Sequence, residues 1–266
     1  MIKKIAIYTL ICLGIILSCS KDSDDSTPPE TTVDKTANLQ ATGSSANDIL
    51  SNANFDALLI EIAYVEGFRP TTTAITSFEN FIRERTFKTD IEFTYLSLPS
   101  SGEETLTTQQ VADLEEENRT AYNNGTTLAM YIYFADAPSD DDEEGEGLFT
   151  LGAVYRNTSM VIYESTIRQL ASQSNFITIS DVETSTLNHE FAHLMGLVNL
   201  GTDAVNDHED SEAANHCNVS GCLMRAALEF GVPTMKVLES NAAKGAAPVP
   251  SLDAECIFDL QNNGGR

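Results

Sequence analysis

The chain has 266 residues, 42% of them hydrophobic, and carries a formal net charge of −25 at pH 7. A chain of this length and hydrophobic content can bury one sizeable core or two small ones. A surface this acidic repels nucleic acid and anionic lipid headgroups, so the composition excludes charge-driven binding to either.

The first residues resemble a bacterial lipoprotein leader. Lys3 and Lys4 precede an apolar run at 5–17 that is too short to cross a bilayer comfortably. The run ends in the string ILSC at 16–19, in which the thiol of Cys19 would be acylated and become the new N-terminus. An ordinary signal peptide with an incidental cysteine is the alternative.

This leader and the composition that follows it divide the chain into three parts. Residues 1–18 are the predicted signal peptide, and residues 19–46, rich in Ser, Thr, Asp and Pro, are the predicted disordered acidic tether. Residues 47–266 remain as the predicted folded domain. The acidic start of the tether resembles the surface-export signal of Bacteroidota lipoproteins.

The hydrophobic pattern then predicts strands that alternate with helices. Apolar runs or alternation indicate strands, and apolar residues three to four apart indicate helices. In chain order, the prediction is a strand at 57–65, a helix at 72–87, a strand at 90–98, a helix at 107–123, a strand at 128–134, one or two strands within 151–163 and a helix at 180–194. This alternation predicts an α/β fold, with a mostly parallel twisted sheet, an antiparallel edge strand and helices packed on the sheet.

The last predicted helix contains the motif His189-Glu190-Phe191-Ala192-His193. Histidines four residues apart project from one helix face, so both imidazoles can reach one metal ion, and zinc accepts such nitrogen ligands. The carboxylate of Glu190 can then approach a zinc-bound water and act as a general base. All four histidines of the chain fall between 189 and 216, which favours a metal centre over scattered structural histidines.

Residues 189–224 resemble the metzincin zinc peptidases, whose pattern is H-E-x-x-H-x-x-G-x-x-H followed by a methionine turn. Gly196 occupies the glycine position, but Asn199 stands where the third histidine is expected. The later string HCNVSGCLM at 216–224 is similar to the archaemetzincin stretch in which the third zinc histidine precedes a cysteine. This resemblance implies that His216 is the third ligand and Met224 the methionine of the turn.

Two alternatives for the third ligand remain open. His208, in the acidic stretch 207–210, is the main rival of His216. A glutamate ligand of the gluzincin type, Glu209 or Glu212, fits less well because this stretch has the composition of a loop rather than of a second helix.

Three cysteines lie in the predicted domain: Cys217, Cys222 and Cys256. Archaemetzincins hold a second, structural zinc with four cysteines, whereas this chain has Asp259 where the last cysteine is expected. In an oxidising compartment a Cys217–Cys222 disulfide is therefore predicted. A Cys222–Cys256 disulfide and a zinc site of three cysteines with Asp259 are the alternatives.

The resemblance implies a metzincin-like (zincin) catalytic domain, with an active-site helix and a C-terminal subdomain that carries the Met-turn. It implies a metalloendopeptidase with one catalytic Zn²⁺, Glu190 as general base, and protein or peptide substrates. A non-catalytic zinc-containing surface lipoprotein that acts as a binding module is the alternative. The chain is also similar to membrane metalloprotease lipoproteins of Bacteroidota. We therefore expect a monomer in the bacterial cell envelope, an outer-membrane lipoprotein held by the lipid on Cys19 alone and without nucleic-acid partners.

Overall fold

A computed structural model describes residues 33–143 and 145–266. The predicted signal peptide, Cys19 and the tether up to residue 32 lie outside the described residues, so the lipid anchor stays a prediction. Within the described part of the chain, no helix combines the length and the apolar character that a membrane span requires.

A five-stranded sheet forms the centre of the described part, in the spatial order β2-β1-β3-β5-β4. Its strands are β1 (Ala57–Val65), β2 (Asp90–Leu98), β3 (Thr127–Phe134), β4 (Gly152–Arg156) and β5 (Ser159–Ile162). The first four in this spatial order are parallel, and β4 pairs antiparallel with β5 at the edge. The predicted mostly parallel sheet with an antiparallel edge strand is confirmed.

Both faces of the sheet are covered. Along β3, Met130 and Ile132 point into one hydrophobic core, whereas Tyr131 and Tyr133 point into another on the opposite face. A strand buried on both faces reads as a continuous apolar run rather than as an alternation, which explains the sequence of β3.

The helices of the described residues include several that the hydrophobic pattern did not predict. They are α1 (Ala46–Leu50), α2 (Thr72–Arg85), α3 (Thr108–Asn118), α4 (Glu164–Ala171), α5 (Ile179–Leu194), α6 (Gly231–Ala243) and α7 (Ala254–Asn262), with two 3₁₀ helices at Thr36–Asn38 and Ala226–Leu228. A short antiparallel pair, β6 (Glu209–Asp210) and β7 (Ala213–Cys217), follows α5. α3 ends before the predicted residue 123 because Arg119 turns into the core, where its guanidinium bonds to Glu115 and to the carbonyl of Ala129.

Residues 33–46, which were predicted to belong to the tether, contact the folded domain. Asn38 is fully buried. Its amide donates to Asn123 Oδ1 at 2.8 Å and to the carbonyl of Ala129 at 2.9 Å, and its Oδ1 accepts from the amide of Asn123 at 3.1 Å. Because these bonds satisfy a buried side-chain amide, the polar residues 33–46 belong to the domain despite a composition typical of a linker.

The helix α5 is the element that positions the site. Thr178 and Asp181 form a capping box that starts it: the Thr178 hydroxyl accepts from the amide of Asp181, and the Asp181 carboxylate accepts from the amide of Thr178 at 2.9 Å. Phe191 packs edge-on against Phe78 of α2, with ring centroids 5.1 Å apart. Every residue from 182 to 194 is buried, although this stretch includes a run of polar side chains. Several of these polar groups have partners within the fold: the hydroxyls of Thr184 and Thr186 donate to carbonyls one turn earlier, and the Glu183 carboxylate accepts from the amide of Thr71.

Candidate metal centre

Three histidines from two distant parts of the chain meet at one point. His189 and His193 lie one turn apart on α5, with their Nε2 atoms 3.2 Å apart. His216 on β7 brings its ring to 5.3 Å from that of His189 and 5.1 Å from that of His193, measured between centroids. One nitrogen from each ring lies within 4.8 Å of the other two. Two nitrogens bound to one tetrahedral zinc at about 2.0–2.1 Å would be roughly 3.4 Å apart, so this spacing suits a shared ion.

Backbone carbonyls orient two of the three rings. His189 Nδ1 lies 2.8 Å from the carbonyl of Leu223, and His216 Nδ1 lies 2.9 Å from the carbonyl of Ala214. A carbonyl can only accept, so each Nδ1 carries the proton and each Nε2 presents a lone pair. His216 Nε2 is buried without a hydrogen-bond partner among the described residues. A metal ion at the shared point would satisfy this nitrogen.

Burial keeps the imidazoles on α5 in the form that binds a metal. Desolvation, with a smaller contribution from the nearby ring of His216, lowers the pKa of His189 to about 3. Desolvation also holds the pKa of His193 well below its usual value, with repulsion from the other two histidines adding to the effect. Both rings are therefore neutral at pH 7, and a neutral imidazole is the species that coordinates metals.

Glu190 lies beside the three histidines at the floor of an open cleft. Its side chain is 2% exposed, and its carboxylate has no hydrogen-bond donor among the described residues. Burial raises the pKa of Glu190 well above its usual value, and the charge of Glu229 raises it further. The cleft has a volume of about 570 Å³ and is bordered by Ala153 and Val154 on β4 and by Phe230 on the other side. A carboxyl that is desolvated yet reachable from a cleft is suited to transfer protons.

Gly152, at the start of β4, allows the sheet to approach Glu190 closely. A Cβ at this position would lie 2.8 Å from Glu190 Cγ and 2.9 Å from Thr186 Cγ2. The sequence analysis missed this residue, although a glycine inside a strand pattern is a general signal for a close approach.

Glu229 is a second residue of the cleft that the sequence analysis missed. Its Oε2 lies 3.3 Å from His216 Nε2. Burial raises the pKa of this carboxyl, whereas His216 lowers it in part. Glu229 follows the predicted Met-turn in an apolar stretch, and no spacing in the sequence connects it to the motif on α5.

The structure does not bring His208 to this centre. His208 belongs instead to a second group of potential ligands with Cys217, Asp253 and Cys256, whose donor atoms lie within 4.8 Å of one another. Its Nε2 pairs with Asp259 Oδ2 at 2.7 Å, and its Nδ1 lies 3.3 Å from Cys217 Sγ. The other rivals stay outside both groups: Glu209 bonds to Asn199 and to the amide of Asn215, and Glu212 lies at the rim of the cleft.

The predicted Cys217–Cys222 disulfide is wrong, because all three cysteines of the domain are free and buried. Cys222 Sγ and Cys256 Sγ are 3.6 Å apart, far beyond the roughly 2.0 Å of a disulfide bond. Two thiolates on one tetrahedral zinc, with Zn–S bonds of about 2.3 Å, would be roughly 3.8 Å apart. The alternative Cys222–Cys256 disulfide is also absent. The distance between the two sulfurs instead suits two ligands of one metal ion.

Backbone amides donate hydrogen bonds to two of the three cysteine sulfurs. The amide of Val219 donates to Cys217 Sγ at 3.3 Å, and the amide of Met224 donates to Cys222 Sγ at 3.3 Å. The pKa of the Cys217 thiol is lowered, chiefly because the thiols of Cys222 and Cys256 can donate to it. Such donors favour the thiolate, the form of cysteine that binds metals.

The segment around Met224 links the two groups. Met224 is fully buried, and its carbonyl accepts from the amide of Cys217 at 2.7 Å. The carbonyl of the preceding Leu223 orients His189, as described above. This short stretch therefore contacts the three-histidine centre on one side and the cysteine group on the other.

The solved structures that are similar to this chain include two metalloproteins. Archaemetzincin (amzA) from Methanopyrus kandleri is 14% identical, with a TM-score of 0.47 and coverage of 79% of this chain and 96% of that one. Metalloproteinase-II from Bacteroides fragilis is 14% identical, with a TM-score of 0.38 over 88% of this chain, which spans 58% of that protein's length. No protein-family model and no curated protein matches the sequence. Since similarities this remote carry no functional argument, the activity has to be inferred from the site itself.

Proposed function

We propose that this chain is a zinc-dependent endopeptidase whose active site is the three-histidine centre with Glu190. The observation that carries the proposal is the convergence of three buried imidazoles, two of them oriented by backbone carbonyls, beside a carboxyl that has no hydrogen-bond donor among the described residues, at the floor of an open cleft. Three protein ligands leave a coordination position free, as catalytic zinc sites require.

In this proposal each residue has a defined role. His189, His193 and His216 hold a zinc ion through their Nε2 atoms. Zinc bound there supplies a Lewis acid that acidifies a water molecule and polarises the scissile carbonyl. Glu190 accepts the proton of the attacking water and later returns it to the leaving amine. Burial raises the pKa of Glu190, and a carboxylate with a raised pKa accepts a proton more readily than an exposed carboxylate does.

The edge strand β4 supports a peptide as the substrate. It is the last strand of the sheet, and its residues Ala153 and Val154 border the cleft in front of Glu190. An extended peptide can add to such an edge through main-chain hydrogen bonds, which would place its carbonyl groups along the cleft. This mode of binding is independent of side-chain identity and fits an endopeptidase.

We further propose a second, structural zinc, in addition to the one catalytic ion expected from the sequence. We assign as its ligands Cys217, Cys256 and Nδ1 of His208, with Cys222 rather than Asp253 as the fourth, because Cys222 Sγ lies 3.6 Å from Cys256 Sγ and zinc favours thiolates in structural sites. The bond from His208 Nε2 to Asp259 supports this assignment, because a carboxylate on the far ring nitrogen commonly orients a metal-bound histidine. His208, rather than Asp259, thus takes the place of the expected fourth cysteine.

The cellular location remains a proposal from the leader sequence. Lys3, Lys4 and the ILSC string at 16–19 support an envelope lipoprotein attached through Cys19. Mass spectrometry of the membrane fraction should find a diacylated or triacylated Cys19 as the N-terminal residue, and an unmodified Cys19 would contradict the anchor.

Removal of the metal tests the proposed activity. We expect zinc-loaded protein to cleave unfolded proteins or a quenched-fluorescent peptide library, and a chelator to abolish the cleavage. Added zinc should restore it in proportion to the ion bound, since the histidine site organises the reaction. Hydrolysis that survives complete zinc removal would contradict the proposal, and a zinc-loaded protein that cleaves no peptide would favour a binding module instead.

Gly152→Ala should lower peptidase activity through the position of Glu190. The added Cβ meets Glu190 Cγ and Thr186 Cγ2 at less than van der Waals distance, and a shift of about 1 Å in a catalytic group can cost a hundredfold in rate. We expect kcat/KM to fall at least about tenfold, with destabilisation of about 1–3 kcal/mol from overpacking. Gly145→Ala is the matched control, because its Cβ would meet no atom within 4 Å. Equal activity of the two variants would show that Gly152 does not position the carboxylate.

A further inference from the structure

Glu229 is a carboxylate in the cleft with no role in the proposed chemistry. Its side chain is 33% exposed, and its Oε2 lies 3.3 Å from His216 Nε2. No hydrogen-bond donor reaches its carboxylate among the described residues. Glu229 also lies outside the group of atoms that could share one ion with His189, His193 and His216. Glu229 is therefore placed beside the metal centre without belonging to it.

Two other carboxylates withdrawn from solvent in this fold have arginine partners. Glu115 pairs with Arg119 and Arg156, at 2.7 and 3.0 Å. Glu164 pairs with Arg168 at 2.5 Å. Glu229 has only the ring nitrogen of His216, which is buried, unpartnered by hydrogen bonds and assigned above to the metal. Once that nitrogen binds an ion, Glu229 has no hydrogen-bond donor among the described residues, so its carboxylate is available to accept from a donor on the substrate.

The rest of the cleft indicates what that partner is. Among the described residues no lysine or arginine lines the cleft, so no cationic side chain of that part of the chain pairs with Glu229 there. Alanines at 153, 213, 214 and 226 line much of the wall and leave room for a long side chain. The amide of Leu151 donates to the carbonyl of Glu229 at 3.1 Å, which fixes the backbone of Glu229 next to the start of β4. A peptide lying along β4 would therefore present side chains to Glu229 close to the bond cleaved.

We propose that Glu229 determines substrate specificity by binding a positively charged nitrogen of the substrate next to the scissile bond. A lysine or arginine side chain supplies such a group, and a free N-terminal amine is a second source of the same chemistry. Glu229 forms a charge-assisted hydrogen bond with this nitrogen while Glu190 remains free to act on water. This inference rests on the proposed peptidase activity and adds a substrate class to it.

Matched peptides test the assignment on the wild-type enzyme. Each pair of N-acetylated, quenched-fluorescent peptides differs at one position beside the scissile bond, which holds either lysine or its uncharged analogue norleucine. We expect kcat/KM to be about tenfold higher for lysine in at least one flanking position, the usual worth of a charge-assisted hydrogen bond at a partly exposed site. A third peptide, with a free N-terminus next to the cleaved bond, separates an amine-directed preference from a side-chain preference.

The variant Glu229→Gln keeps the shape of the side chain and removes its charge. It should bring the ratio between charged and uncharged peptides close to one. Glu212→Gln is the control, because Glu212 is an exposed carboxylate at the rim of the same cleft, and its loss should keep the ratio. Hydrolysis of all peptides without a preference for charge, or a preference that survives Glu229→Gln, overturns the inference alone. A failure to cleave any peptide overturns the peptidase proposal and this inference together.

Discussion

Replacement of Glu190 by glutamine should lower kcat for peptide hydrolysis by about 10²- to 10⁴-fold, the usual contribution of a positioned general base. Glutamine preserves the size of the side chain and can still occupy the space beside Gly152, but it cannot accept a proton from water. The fold and the zinc content should be unchanged, because Glu190 is not one of the clustered nitrogen donors. The measurements are steady-state kinetics on a cleaved peptide and the zinc content of the same preparation.

A neighbouring position provides the control for this variant. Asn188 precedes the motif on α5 and its Oδ1 has no partner among the described residues, so Asn188→Ala removes one buried polar side chain of the same helix without breaking a hydrogen bond of that oxygen. That variant should retain most of the activity. Glu190→Gln with wild-type kcat would remove Glu190 from the mechanism, and equal losses in both variants would point to damage of the helix rather than of the chemistry.

Removal of the proposed structural zinc should have the largest effect on stability. The variant Cys256→Ser lacks one thiolate ligand of the proposed structural zinc site. It should bind one zinc ion, whereas the wild-type protein binds two. We expect the free energy of unfolding to fall by at least about 3 kcal/mol, because metal binding at a structural site contributes directly to folding. For a domain of this size that corresponds to a decrease in Tm of at least about 6 °C.

His216→Ala is the complementary variant. It should also lose one zinc, but from the three-histidine centre, and it should abolish hydrolysis with a smaller change in Tm. His208→Ala should resemble Cys256→Ser instead. The second site would be contradicted if the wild-type protein bound a single zinc and Cys256→Ser retained it. A disulfide between Cys222 and Cys256 in peptide mass spectra would also contradict it.

The sequence predicts well those features that depend on local pattern. The strands β1 and β2 have the predicted bounds because apolar runs closed by glycine or proline specify them locally. His189, Glu190 and His193 are readable together because one helical turn fixes their relative positions. β4 and β5 likewise form where one or two strands were expected around the turn at Arg156 and Asn157.

Features that depend on contacts between distant residues could not be read in the same way. Cys256 lies on α7, and its approach to Cys222 depends on how the C-terminal helices fold back over the β6–β7 pair. The disulfide prediction rested on the number of cysteines and on the expected oxidising compartment. Neither of these indicates the distance between two sulfur atoms, and that distance excludes the disulfide. His208 was judged by its acidic neighbours, whereas its partners Cys217 and Asp259 determine its role.

Short helices and single residues of the cleft were missed for a related reason. α6 is stabilised by packing against the rest of the domain and has weak helical periodicity, whereas α4 has a clear amphipathic pattern that the sequence analysis overlooked. Asn38 joins the domain through hydrogen bonds with Asn123, far away in the sequence. Glu229 and Gly152 matter because they lie next to His216 and Glu190 in space, which no spacing rule predicts.

Zinc-edge anomalous diffraction from crystals of the zinc-loaded protein tests the central claim most directly. We predict an anomalous peak about 2.0–2.1 Å from the Nε2 atoms of His189, His193 and His216, with the Glu190 carboxylate beside the ion rather than bound to it. A zinc-loaded, folded protein with no peak at these three nitrogens, or with a fourth protein side chain that closes the site, would contradict the proposed peptidase.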